Sequence, residues 1–431
     1  MPHSTLPGPD DTLRVQLPNG LVVLARANFA SPSVVVHGYL PHAGAVHDPP
    51  GREGLAEFTA SMLLRGTRRR SHQAIFEALE SMAANLGFAG HSHSTGFRGR
   101  SLAEDLPALL DLLAEALRAP TFPADEVEKR RDQVLTGLAI RSQDPNARAA
   151  DAALAALYDG HPYGRTLAQV ERGVRGLTRD DLVAFHARHY TPQGLVLVIV
   201  GAVEPEQAVD LARTALGDWQ GPPPPEEPPL PPAQPPSDEV QRRVPLPGKS
   251  QSDIVLATVG PSRLAADYLP AALANSVLGR FGMMGRIGEV VREQAGLAYY
   301  AYSTLAGGPG PGPWEVIAGV APENVPRALD LIRRELLRFI EEGVTPQELA
   351  DVQSQAIGSL PLDLATNAGV AAALVHVERY GLGLDYYRTY EERIRAVTVA
   401  QVQAAIRHYW QPGQWAIGIA GPPSPAEEPS S

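Results

Sequence analysis

Two stretches of this chain, 220 residues apart, repeat one another element for element. The first, TRDDLVAFHARHYTPQGLVLVIVG, runs from Thr178 to Gly201; the second, TVAQVQAAIRHYWQPGQWAIGIAG, runs from Thr398 to Gly421. In each, thirteen residues separate the Thr from a Pro (Pro192, Pro412), and the Gly follows nine positions after that Pro. The Thr suits an N-cap, and the basic residues near the end of the polar–apolar pattern suit the last turn of a helix. The apolar runs Leu195–Val200 and Trp415–Ala420 then read as buried strands. Duplication accounts for an offset kept to the residue; the competing reading is coincidence between two common helix–turn–strand units. A duplicated chain of this length folds into two similar halves, each with its own core.

A single segment separates the copies. From Pro222 to Pro236 (PPPPEEPPLPPAQPP) ten of fifteen residues are proline. Such a run supplies few backbone donors, cannot continue a helix and favours an extended polyproline path. It reads as a linker; the other reading is a ligand for a proline-recognising domain. The expected organisation is therefore an amino-terminal half over 1–221, a linker over 222–236 and a carboxy-terminal half over 237–431. Within the halves, Leu21–Ala25 and Ser33–Leu40 read as strands. Leu102–Leu117 reads as an amphipathic helix, and Thr345–Leu360 as a helix with Thr345 and Glu348 as a capping box. Strand pairs mixed with long helices, given twice, predict an α+β chain of two homologous halves, each a mostly antiparallel sheet packed with helices.

Composition removes several functions. There is no cysteine, so disulfides, thiolate nucleophiles and Cys-held metals are excluded, and a metal would need His, Asp or Glu. A net charge of -11 argues against a nucleic-acid partner. No apolar run approaches the ~20 residues of a membrane-spanning helix. The amino terminus, Met1-Pro2-His3-Ser4-Thr5, has no basic region followed by an apolar stretch, from which a cytoplasmic location is expected.

The stretch GREGLAEFTASMLLRGT (Gly51–Thr67) resembles the inverted zinc-motif segment of the pitrilysin/insulinase/mitochondrial-processing-peptidase family. Further blocks resemble the same family, in order along nearly the whole chain: Ser101–Arg131, HPYGRT (His161–Thr166), REQAGLAYYAYS (Arg292–Ser303), Ala321–Ile332 and Glu341–Leu360. In that family two His at i and i+4 bind zinc, a Glu just before the second His activates the bound water, and a Glu on a later helix completes the site. Here Glu57 stands at the first His, Ala60 at the base and Ser61 at the second His. Gly137, within DQVLTGLAI, stands at the later Glu. One carboxylate does not hold a hydrolytic zinc, so no metal and no cofactor is expected in this chain.

Other histidines offer nitrogens of their own. His91 and His93 alternate, so on a strand they would share a face, and with His42 or His47 they could offer a metal enough nitrogens. The block around them resembles a family strand that carries no ligand. His161 in HPYG reads as structural. The Gly-rich Gly307–Pro313 run reads as a hairpin loop rather than a substrate-binding glycine loop.

The resemblance also implies what the chain retains. Arg292 and Tyr299 match a family pair that faces the zinc across a chamber, holds the substrate backbone and stabilises the developing oxyanion. A guanidinium and a phenol are strong donors suited to that task. The bland reading of the same residues is an Arg292 paired with Glu289 or Glu293 and a Tyr299 packed in a sheet. A chain with the zinc motif erased and the pair kept resembles the non-catalytic bacterial subunit, whose partner is a zinc-bearing paralogue. The expectation is a heterodimer that hydrolyses peptides, with zinc in the partner, and with a homodimer possible for the isolated chain. The alternatives are a scaffold member with no part in catalysis, and an enzyme with a rearranged metal site.

Overall fold

Both copies of the repeat form as read. In the computed structural model, which describes residues 6–282 and 284–423, the helix Arg179–His189 opens on Thr178 and the helix Val399–Tyr409 on Thr398. Each Thr accepts from the backbone of the third helical residue, whose side chain (Asp181 or Gln401) accepts in return from the Thr backbone. The strands that follow, β6 (Val196–Gly201) and β11 (Ala416–Gly421), are buried along their whole length. The reading made on Met1–Thr5 lies outside the described residues.

The remaining strands are β1 (Leu13–Gln16), β2 (Val22–Ala27), β3 (Ser33–Pro41), β4 (Asn85–Gly90), β5 (Ser94–Leu102), β7 (Val240–Pro245), β8 (Ser252–Val259), β9 (Ala298–Leu305) and β10 (Pro313–Val320). They make two sheets, ordered β1-β2-β6-β3-β5-β4 and β7-β11-β8-β10-β9. Apart from the extra β1 the two orders match strand for strand, including the one parallel pair in each, β2 with β6 and β7 with β11. All other pairings are antiparallel. The fold is α+β, as expected, in two similar halves.

The compact units do not follow the sequence halves. Unit 1 takes residues up to Leu135, Gln169–Pro229 and Ser359–Glu391; unit 2 takes Thr136–Ala168, Leu230–Gly358 and residues from Glu392 onward. The cause lies in the two-sided apolarity of the central strands. In unit 1, Leu197 and Ile199 point into a core with Leu109, Leu113, Leu182 and Phe185. Val196, Val198 and Val200 point the other way and are covered by Val370, Ala371 and Leu374 of the Asn367–Arg379 helix, which comes from after the linker. Unit 2 mirrors this arrangement. Ile417 and Ile419 join a core with Val402 and Ile406, while Ala416 and Ala420 meet Ala149 and Ala153 of the Pro145–Leu157 helix, which comes from before the linker. Burying a Val or Leu side chain contributes ~1.5–3 kcal/mol, so a bare second face would cost each sheet heavily.

Strand ends shift from expectation by one or two residues, and the amphipathic helix begins at Leu106 rather than Leu102. Leu102 instead ends β5, paired with Ser33. The 345–360 reading forms as the helix Pro346–Asp363, with Glu348 accepting from Thr345 N at 2.8 Å. Among the described residues no single helix is long and apolar enough to cross a membrane.

The small residues of the exchanged-helix contact are required. A Cβ on Gly418 would lie 1.9 Å from the carbonyl oxygen of Ala149, whereas one on Gly137, in an exposed helix interior, would meet nothing within 4 Å. Gly418→Ala is expected to destabilise the chain by ~1–3 kcal/mol. Gly137→Ala should be neutral or stabilising by up to ~1 kcal/mol. Urea denaturation of the two variants checks both signs.

Candidate functional site: the degenerate zinc motif and the Arg292–Tyr299 segment

The motif helix, Leu55–Met62, is set by a buried aspartate. Asp48 accepts from Gly54 N at 2.9 Å and from Ala56 N at 2.8 Å, tying off the helix's first free donors. Gly54, with φ of 94°, makes the turn into the helix. Leu55, Ala56, Phe58, Thr59, Ala60 and Met62 face inward, and Glu57 is exposed. On the far side of the helix β4 passes close by: a Cβ on Gly90 would lie 2.5 Å from Glu57 Cα. β4 is the edge strand of its sheet.

At the position of the second zinc-binding imidazole, Ser61 Oγ donates to Phe58 O at 2.8 Å and accepts from Arg130 Nε at 2.9 Å. Arg130 lies on the Ala124–Arg141 helix. Burial weakens its hold on the proton, the nearby Arg65 adds to that, and Glu57 partly opposes it. Arg65 is bound in turn to Glu126 at 3.0 Å and Gln133 at 2.8 Å. A guanidinium therefore occupies the motif helix's polar face. Ala60 offers no base, and Gly137 lies on an exposed stretch of its helix with no side chain to give. A hydrolytic zinc needs three protein ligands. The motif positions supply one carboxylate and a hydroxyl already engaged with a cation, which repels a metal ion placed beside it. The zinc that the motif implies does not fit these residues.

The Arg292–Tyr299 segment belongs to unit 2. Arg292 sits in a π-type turn, Glu289–Gln294, which ends on Gly296. Gly296, at φ 64°, donates to Arg292 O at 3.0 Å, and Leu297 donates to Val291 O at 3.0 Å, turning the chain into β9. Arg292 lies 3.6 Å from Glu293, a loose pair. Tyr299 stands on β9, the edge strand of the second sheet, and is 82% exposed. Its ring is not packed into the sheet's core.

Three smaller readings are decided by geometry. His91 and His93 are not on a strand; they form the turn between β4 and β5, so their alternation does not give them a common face. His91 instead lines a cavity of about 600 Å³ with His37, Arg98, His376 and Arg379. His161 is structural, its Nδ1 accepting from Tyr163 N at 3.0 Å. The Gly307–Pro313 run is the β9–β10 hairpin loop. Two participants were not found from sequence. Arg130 stands in a run of basic residues that could have drawn notice. Glu227, which meets His42 and His47, is hidden in the proline run.

Residues 23–171 match the model for insulinase, peptidase family M16, and residues 176–356 match the model for the peptidase M16 inactive domain. The chain belongs to the M16 peptidase family. An uncharacterized zinc protease of Mycobacterium bovis is 29% identical over 402 residues, covering 92% of this chain and 90% of that one. A probable mitochondrial-processing peptidase beta subunit of Arabidopsis thaliana is 27% identical over 208 residues, 48% of this chain and 39% of that one. The crystal structure of a peptidase M16 inactive domain from Pseudomonas fluorescens superposes with a TM-score of 0.87 at 27% identity, covering 96% of this chain and 98% of that one. A protease from Helicobacter pylori shares the fold, with a TM-score of 0.86 at 18% identity over 97% of this chain and all (100%) of that one.

The Arg130 contact makes a specific prediction. Glu57→His with Ser61→His and Gly137→Glu should raise the zinc content of the chain only weakly. Adding Arg130→Gln should tighten the added zinc by ~10-fold or more, since a like charge beside the metal is removed. Equilibrium dialysis against zinc, read as the increment over the unaltered chain, checks it.

Proposed function

We propose that this M16 family member is a non-catalytic subunit of a heteromeric zinc peptidase, contributing Arg292 and Tyr299 to the site of a zinc-bearing paralogue. The observation that carries the reading is the contact between Ser61 Oγ and Arg130 where the family holds zinc, together with Ala60 in place of the base. A chain so altered cannot activate water, whereas the exposed Tyr299 and the loosely paired Arg292 are available to a ligand. An extended peptide adding to an exposed sheet edge leaves its carbonyls in reach of such donors, and donors placed where negative charge develops stabilise the transition state. Zinc is assigned to the partner, and both chains to the cytoplasm. The relatives named zinc proteases support a peptidase setting for this chain, and the heteromeric role is our own inference.

Mixing the purified chain with a zinc-motif-bearing paralogue should yield peptide hydrolysis that neither shows alone. Tyr299→Phe and Arg292→Ala should each lower kcat/KM of the mixture by ~100–1,000-fold, the range for loss of one transition-state donor. An undiminished rate in both variants would favour the scaffold reading instead. Hydrolysis by the solitary chain would refute the proposal.

A further inference from the structure

At the end of β3, just before the aspartate that caps the motif helix, two histidines and a glutamate converge. His42 Nδ1 lies 3.0 Å from Glu227 Oε1, and His47 Nε2 lies 3.8 Å from Glu227 Oε2. One donor atom from each of the three residues falls within 4.8 Å of the others. Ligands of a tetrahedral zinc, each ~2.0–2.1 Å from the metal, stand about 3.3 Å apart, so small side-chain adjustments bring these atoms onto one ion. Both ring nitrogens are closed off from solvent, and neither has an aligned hydrogen-bond partner among the described residues. Such orphaned nitrogens are costly unless something meets them.

The histidines are held rigidly. His42 has φ of 63°, an uncommon conformation for a residue with a side chain, and its carbonyl accepts from His189 Nδ1 at 2.7 Å. The loop that follows is tied to the β4–β5 turn: Ala45 donates to His91 O at 2.9 Å, Val46 to Ser92 O at 2.8 Å, and Thr95 Oγ1 to Ala43 O at 2.8 Å. Glu227 arrives from the proline-rich segment, whose first residue is held by Thr191 Oγ1 donating to Pro222 O at 2.9 Å.

We propose that His42, His47 and Glu227 form a binding site for zinc or a similar divalent transition metal, which fastens the proline-rich segment to unit 1. Two imidazoles and a carboxylate suit this class of ion and not calcium or magnesium, which prefer all-oxygen sets. The fourth position is left to water. The site takes no ligand from the motif helix, so it is a fastening and not a second active centre. A proline run has few backbone N–H groups with which to dock, so a side-chain ligand adds to the hold of its carbonyls.

The full-length chain, stripped with a chelator and dialysed against Zn²⁺, is expected to bind one zinc ion with sub-micromolar affinity and to exclude Mg²⁺ and Ca²⁺. Co²⁺ in its place should give visible absorption bands of a four-coordinate site. Glu227→Gln, which alters a half-exposed side chain and leaves the core intact, should weaken zinc binding ~100-fold or more, as should His47→Ala; Ser61→Ala should leave it unchanged. No zinc bound by the unaltered chain at micromolar concentration would overturn the proposal and point to a His42–Glu227 ion pair. Undiminished binding by Glu227→Gln would also overturn it. If binding is lost in Glu57→Gln instead, the metal belongs to the motif helix, and the proposed non-catalytic role fails with it.

Discussion

Strands that are apolar on both faces govern this structure. β6, β8 and β11 carry no exposed residue, so each sheet must be covered twice. Helices close in sequence cover one face of each sheet. The second face is covered by a helix from across the proline-rich segment: Asn367–Arg379 for the first sheet and Pro145–Leu157 for the second. Gly418 shows how close that cover comes, since the Ala149 carbonyl takes the space a side chain would need. Neither unit can be assembled from one half of the chain alone.

That framework positions the motif helix without using zinc-binding side chains. Asp48 still caps it, Gly54 still turns into it, and its apolar face still packs. These features serve packing and backbone satisfaction, which do not depend on a metal. On its polar face a Ser61–Arg130 hydrogen bond is formed. The exposed Glu57 carboxylate and the engaged Ser61 hydroxyl are satisfied without a cation.

In the second unit, Arg292 and Tyr299 are positioned by backbone geometry more than by side-chain packing. The turn closed by Gly296 fixes where the helix stops and β9 starts, and the edge position of β9 leaves Tyr299 open.

Much of this was legible in the sequence because it is local or periodic. The Thr178 and Thr398 N-caps, the buried strands behind them and the HPYG turn all depend on residues a few positions apart. Helix and strand ends were less so: whether Leu102 ends a strand or begins a helix is settled by its pairing with Ser33, 69 residues away. What only the tertiary structure decided is long-range. It placed Arg130 on Ser61, moved His91 and His93 into a turn, and brought Glu227 to His42 and His47. It also assigned each exchanged helix to the sheet on the other side of the proline run. A sequence states which groups a chain owns and how neighbours must bend, but the meeting of distant groups follows from which apolar faces bury one another, and that is a property of the whole fold.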